Sequence, residues 1–137
     1  MGVLIDSTVL IDYERERLDL EDRVAGRDDE PFLLSVISVS ELLHGVHRAD
    51  DRVRRARRSA FVEAVLDRFP ILVLDLPTAR AYAELWAELA SAGTLIGAHD
   101  LWLAAAALAH GLTLVTSNVR HFGRVPGLQV EDWGAAR

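Results

Sequence analysis

The chain has 137 residues, a formal net charge of −6 and no cysteine, which excludes disulfides, thiolate zinc sites and a uniformly basic nucleic-acid-binding surface. Half of the residues are apolar, which excludes extended disorder and favours one domain over residues 1–137. No apolar run reaches the roughly 18 residues of a membrane span and no signal peptide is evident, so we expect a soluble cytoplasmic protein that does not bind membranes.

The first predicted strand is short, apolar and followed directly by an acid. Residues 3–5, Val-Leu-Ile, have the continuous apolar character of an interior strand in a parallel sheet, and Asp6 comes next. In open α/β sheets, ligands bind outside the carboxyl ends of the strands. A helix is predicted over 8–14, with Ser7 or Thr8 as its N-cap. Asp12, within this helix, is expected to face solvent or to act as a cap.

Predicted strands and helices then alternate to the C-terminus. Residues 15–31 are predicted as a charged surface helix and loop, followed by a strand over 32–36. Ser38 is predicted to cap the next helix, because it forms the S-x-x-E spacing of a capping box with Glu41. Further helices are predicted over 50–69, 78–91 and 101–110, and further strands over 71–74, 112–115 and 128–130. This alternation favours a parallel sheet with helices on both faces.

Three acids occupy comparable places in this scheme. Asp6 ends a strand, whereas Glu41 and Asp100 are predicted in the first turns of helices, where the helix dipole stabilises a carboxylate by about 0.3–1 kcal/mol. The dipole alone therefore explains Glu41 and Asp100. The other interpretation is that all three converge, which raises their pKa values unless a cation is present. Mg²⁺ or Mn²⁺ prefers such oxygen ligands, and it polarises phosphoryl oxygens and activates water.

Four segments of the sequence together resemble the PIN-domain family, and most closely the VapC toxins of bacterial toxin–antitoxin pairs. The segments are LIDSTVLID (4–12), SVISVSELLHGV (35–46), AHDLWLAAAALAHG (98–111) and LVTSNVRHF with VPGLQVEDW (114–133). The resemblance implies an α/β/α sandwich with a central, mostly parallel sheet of four to five strands. It also implies a Mg²⁺- or Mn²⁺-dependent endoribonuclease whose catalytic and metal-binding residues are Asp6, Glu41 and Asp100. Thr116 and Ser7 match positions that support these acids.

The sequence departs from the family at the last acidic position. Family members carry a further acid at the position of Asn118 or at that of His121, and neither residue is acidic here. Asn118 still offers a carbonyl oxygen and His121 a nitrogen, but neither adds negative charge. We therefore expect weaker metal binding, or dependence on the RNA phosphate, and the number of metal ions stays open at one or two.

The resemblance also implies partners. These are an RNA substrate, a second copy of the chain in a homodimer, and a VapB-type antitoxin whose helix binds beside the helices predicted over 39–49 and 51–69. An antitoxin arginine inserted among the acids would exclude the metal. The only basic concentration in the chain is residues 48–58, where Arg54 and Arg58 share a helix face that Arg55 adjoins. That face either holds an RNA backbone or is a solvated surface balanced by nearby acids.

Two other functions stay open at this point. The altered last position is consistent with a regulatory module that binds RNA or an antitoxin without cutting. A haloacid-dehalogenase-like phosphatase is suggested by an aspartate after the first strand, at Asp6. That chemistry, however, requires a second acid where Thr8 stands and a lysine, and the chain contains no lysine.

Overall fold

The computed structural model describes residues 2–134, so the predicted domain over 1–137 extends beyond them at both ends. Its five strands form one sheet in the order 3-2-1-4-5, and every neighbouring pair is parallel. The strands are β1 (Val3–Ile5), β2 (Phe32–Ser35), β3 (Ile71–Leu72), β4 (Thr113–Thr116) and β5 (Val130–Asp132). The predicted parallel sheet is confirmed, and it has five strands where four to five were expected.

Strand β1 lies at the centre of the sheet and fixes where the carboxyl ends of its neighbours meet. Ile5 is in register with Leu34 of β2 and with Val115 of β4. Because the three strands are parallel, the residues that follow them emerge at the same edge of the sheet. Asp6 therefore lies beside the segments that follow β2 and β4.

The helices cover both faces of the sheet, which confirms the α/β/α sandwich. Val3 and Ile5 belong to the core cluster on one face, where β1 packs with α1, α3 and α4, whereas Leu4 belongs to the cluster on the other face with α5 and α6. The helices are α1 (Ser7–Glu14), α2 (Leu20–Val24), α3 (Val36–Arg48), α4 (Arg52–Arg68), α5 (Leu76–Ser91), α6 (Ala98–His110) and a 3-10 helix (Val119–Phe122). Within residues 2–134, no helix is long and apolar enough to cross a membrane.

The predicted helix caps near the acids are wrong in two places. The N-cap of α1 is Asp6 rather than Ser7 or Thr8. The N-cap of α3 is Ser35, whose Oγ accepts from the Ile37 amide at 3.1 Å. Helix α3 therefore begins earlier than predicted, and Glu41 lies beyond its first turn. The helix dipole consequently does not explain Glu41, although Asp100 does lie in the first turn of α6.

The position of the last strand and the exposure of Asp12 also differ from what the sequence predicts. The last strand is β5 rather than 128–130, and its Glu131 pairs with Arg27, a residue far away in sequence. Asp12 does not face solvent, because it is buried and its carboxylate lies 3.8 Å from the Arg17 guanidinium.

Candidate active site

A cavity of about 480 Å³ opens at the carboxyl edge of the sheet, where the segments after β1, β2 and β4 meet. The structure brings together here all three predicted acids and both residues of the altered last position. The cavity is lined by Asp6, Ser7, Thr8, Glu41, Gly97, Ala98, His99, Asp100, Asn118 and His121. The topology explains this convergence, because each acid comes from an element that begins or ends at this edge.

The Asp6 carboxylate is buried and held by two hydroxyl groups. Thr8 Oγ1 and Thr116 Oγ1 both donate to Asp6 Oδ2 at 2.8 Å. Both hydroxyls also accept from backbone amides of the segment after β4. Thr8 Oγ1 accepts from Ser117 N at 3.1 Å, and Thr116 Oγ1 accepts from Asn118 N at 3.0 Å. Because a hydroxyl has only one proton to donate, these amides direct both protons toward the same aspartate oxygen. The contact of Thr116 agrees with its predicted supporting position, whereas sequence reasoning missed this role for Thr8.

The electrostatics of Asp6 favour a cation in the cavity. Burial raises the pKa of the Asp6 carboxyl above its ordinary value, and the nearby Asp100 and Glu41 charges raise this pKa further. The hydrogen bonds from Thr116 and Thr8 act in the opposite direction on the same pKa. The ionised form of Asp6 is therefore disfavoured by its surroundings, and a bound cation would relieve that cost.

Histidines contact the other two acids. Glu41 accepts a hydrogen bond at Oε1 from Ser7 Oγ at 3.0 Å, while its Oε2 lies 3.2 Å from His99 Nδ1. Asp100 Oδ2 lies 3.1 Å from His121 Nδ1. Sequence reasoning missed these two histidine–acid pairs, although the position of His99 beside Asp100 in the chain was an available signal.

Asn118 and His121, the two residues of the altered last position, contact each other at the cavity rim. The amide nitrogen of Asn118 lies 3.1 Å from His121 Nε2, while the other ring nitrogen faces Asp100. An acid at either position would add a charge beside Asp100. The residues present instead give Asp100 a neutral or cationic neighbour.

The donor set suits a hard divalent ion, but the protein does not form a complete cage for one. Within residues 2–134, no three His, Asp or Glu side chains form a group that could hold a metal ion. Mg²⁺ is usually bound through one or two carboxylates together with waters and substrate phosphates, and it does not need such a cage. Asp6, Glu41 and Asp100 carry the oxygen donors that this mode uses, and Glu41 and Asp100 would have to give up their histidine contacts to hold an ion.

The predicted RNA-binding face is only partly available. Arg55 donates from Nε and Nη2 to the Ala49 carbonyl at 3.0 and 2.6 Å. Arg58 donates to the Gly45 carbonyl at 3.0 Å. These two arginines therefore join α4 to the C-terminal end of α3, although Arg55, like Arg54, remains exposed.

A groove of about 420 Å³ adjoins the acidic cavity. It lies between α1, α3 and α4, is lined by Arg54 and Arg58, and shares Glu41 with the cavity. This groove occupies the region that the resemblance assigns to the antitoxin helix.

Comparison with protein families and curated sequences gives consistent matches. The family model described as PIN domain matches residues 3–128. Ribonuclease VapC1 of Rickettsia felis is 34% identical over 130 residues, which cover 95% of each chain. The tRNA(fMet)-specific endonuclease VapC of Salmonella typhimurium is 37% identical over 122 residues, which cover 89% of this chain and 85% of the relative.

Comparison with solved structures agrees with the sequence matches. DNA-bound VapBC from Salmonella typhimurium superposes with a TM-score of 0.88 and 29% identity over 97% of this chain and 98% of the other. VapBC2 from Rickettsia felis, bound to a DNA fragment from its promoter, gives a TM-score of 0.88 and 26% identity over 97% and 99% of the two chains.

Proposed function

The chain belongs to the PIN domain family, in its VapC group, and on this basis we propose that it is the ribonuclease toxin of a toxin–antitoxin pair. We propose further that it cuts RNA with Mg²⁺ or Mn²⁺ at the acidic cavity. The observation that carries the proposal is that Asp6, Glu41 and Asp100, from three separate segments, line one cavity. Family membership removes the support for the phosphatase alternative.

In the proposed mechanism, Asp6, Glu41 and Asp100 are the residues that would hold the divalent ion. When bound, such an ion stabilises developing charge on the phosphate and lowers the pKa of the attacking water. Thr8 and Thr116 fix the Asp6 carboxylate from one side, so that its orientation does not depend on the ion. Ser7 does the same for one oxygen of Glu41.

Asn118 and His121 would make the site weaker toward metal than a four-acid site. Neither residue adds a negative charge, and His121 contacts Asp100 directly. Tight metal binding would therefore depend on oxygen atoms from the RNA phosphate. This coupling would make the substrate part of the metal site.

The proposed partners follow from the similar structures, which are described as VapBC complexes. We propose that a VapB-type antitoxin binds this chain in the groove between α1, α3 and α4. An arginine of the antitoxin placed against the acids would form a bidentate pair with a carboxylate and exclude the metal. The proposed active assembly is a homodimer, and its RNA substrate implies action in the cytoplasm.

The first RNA to test is tRNA(fMet), because one relative is named as an endonuclease specific for it. That relative is 37% identical to this chain. Ribosomal and messenger RNA are the comparison substrates.

A second candidate function is a regulatory module that binds RNA or the antitoxin without cutting. The observation that favours it is that Glu41 and Asp100 both face histidines while the last acidic position is not acidic. It differs from the leading proposal in one measurable respect, because such a module would bind RNA without cleaving it.

A cleavage assay separates the two functions. Purified protein is incubated with end-labelled tRNA(fMet) and control RNAs in separate reactions that contain Mg²⁺, Mn²⁺ or EDTA. We expect cleavage only with metal, and none by the folded Asp6→Asn and Asp100→Asn variants. The matched control is Asp67→Asn, an exposed acid of α4 outside the cavity. Binding without cleavage favours the regulatory module, whereas cleavage by either acid variant overturns the proposed site.

A further inference from the structure

A second cleft, of about 470 Å³, adjoins the acidic cavity and shares Asp100 and His121 with it. We call it the flanking cleft, and its other walls include Leu95, Ile96, Arg120 and Arg124. We propose that the flanking cleft holds the nucleotide next to the cleaved bond, with its phosphate on the two arginines and its base against the two apolar side chains. This inference rests on the proposed function and names where part of the RNA binds.

The charge of the flanking cleft suits a phosphate. Arg120 and Arg124 are both exposed, and within residues 2–134 neither forms an ion pair. By contrast, Arg27 and Arg68 are bound to glutamates. An arginine without a carboxylate partner can place its planar fork of donors on phosphate oxygens.

The apolar wall suits the face of a base. Leu95 is 46% exposed and offers an apolar surface to the cleft. It lies in the connector between α5 and α6, whose backbone is fixed on both sides. The Thr94 amide donates to the Leu89 carbonyl at 2.9 Å, and the Leu101 amide donates to the Gly97 carbonyl at 2.9 Å. Leu95 is therefore presented from a fixed backbone rather than from a loose loop.

The arginine wall is also anchored in the core. Phe122 lies between Arg120 and Arg124 in the chain and is 1% exposed, and Val125 follows them and is buried. Both residues pack in the core cluster that contains Leu4. The position of the two arginines relative to Asp100 is consequently set by the fold.

Continuity with the acidic cavity decides what the flanking cleft can hold. Since Asp100 and His121 line both spaces, a nucleotide in the cleft would have its neighbouring phosphodiester at the acids. A nucleotide combines a phosphate with an apolar face, which matches the two walls. An acidic peptide would match only the arginines.

The arginine wall is tested by the salt dependence of RNA binding. Fluorescence anisotropy with a labelled single-stranded RNA is run in EDTA, so that no metal-dependent cleavage occurs. Each phosphate contact on a single strand contributes about 0.7 to the slope of log affinity against log salt. Because the two arginines hold one phosphate, the Arg120→Gln/Arg124→Gln variant should lose about 0.7 from the slope. The matched control is Arg80→Gln, which changes an exposed arginine that lines none of these clefts and lies outside residues 48–58, and it should keep the wild-type slope.

A wild-type slope in the Arg120/Arg124 double variant would overturn the proposal, as would an equal loss in the control. Loss of polyglutamate binding with unchanged RNA binding would assign the cleft to acidic peptides and overturn it too. These results are distinguishable from a failure of the proposed function, which appears as absent cleavage by the wild type in Mg²⁺ and Mn²⁺. The binding measurement in EDTA does not depend on that outcome.

The apolar wall is tested with RNAs that carry one abasic position, moved along the strand. For the wild type, one such position should weaken binding several-fold, because its base no longer covers Leu95. The Leu95→Ser variant should bind the RNA that is abasic at that position as tightly as it binds the intact RNA. Leu76→Ser, which changes another exposed leucine, should retain the wild-type difference. If Leu95→Ser also retains it, the base does not lie against Leu95 and the proposal fails.

Discussion

Replacing Thr116 by valine tests how the cavity supports its buried carboxylate. Thr116 is fully buried. Its Oγ1 donates to Asp6 Oδ2 at 2.8 Å and accepts from Asn118 N at 3.0 Å. Valine keeps the shape of the side chain and removes both hydrogen bonds. Asp6 then depends on Thr8 alone for a hydroxyl donor.

The expected cost follows from the charge of the group that loses its donor. A hydrogen bond to a charged group contributes about 1.5–3 kcal/mol, so we expect Thr116→Val to lower the free energy of unfolding by about 2 kcal/mol when Asp6 is ionised. The Thr116 hydrogen bond lowers the pKa of Asp6, so its loss raises that pKa further. The deficit should therefore shrink as pH falls and Asp6 becomes protonated.

Urea denaturation near pH 8 and near pH 4 measures this difference. Thr116→Ser is the control, because it keeps the hydroxyl and loses only a methyl group, and its deficit should not depend on pH. Mn²⁺ affinity, measured by calorimetry, should also fall about 10–100-fold in the valine variant, as is typical when a group behind a metal ligand is lost. A valine deficit that is the same at both pH values, or no larger than that of serine, would refute the reasoning.

Three other changes have defined outcomes. Burial raises the pKa of Asp6, so wild-type stability should fall as pH rises from the unfolded-state pKa of Asp6 toward its higher folded-state pKa. Asp6→Asn should lack this loss and be more stable at neutral pH, and parallel pH curves in urea denaturation would contradict it. His121→Asp adds a carboxylate to the cavity and should tighten Mn²⁺ binding about tenfold or more by calorimetry, whereas unchanged or weaker binding would argue against metal at this position. Arg55→Met removes the bonds to the Ala49 carbonyl and should cost about 1 kcal/mol in unfolding free energy. The exposed Arg57→Met should change it by less than about 0.5 kcal/mol, and equal effects would show that the Ala49 contact does not stabilise the helix pair.

The parallel sheet was predictable from local pattern, whereas the meeting of the acids was left open by the residues alone and was implied by the resemblance to the PIN-domain family. Short apolar runs gave all five strands to within two residues at either end, and the parallel order of the sheet brings the ends of β1, β2 and β4 to one edge. Asp6 and Glu41 come from segments beside that edge.

The details that sequence reasoning missed depend on contacts between distant residues. His99 meets Glu41 across 58 residues, and His121 meets Asp100 across 21. Strand β5 lies later than its apolar residues suggested, and there Glu131 pairs with Arg27 across 104 residues. Tertiary contacts of this kind override local propensity, and they determine which of the carboxylates are supported and which are paired with histidine.

Anomalous diffraction from crystals soaked in Mn²⁺ shows whether the acidic cavity binds the divalent ion that we propose is used to cut RNA. We expect an anomalous peak in the cavity within ligand distance of Asp6 or Asp100, and no such peak in crystals of Asp6→Asn soaked in the same way. A Mn²⁺-saturated wild-type crystal with no peak in this cavity, or with its peak at another site, would contradict the account.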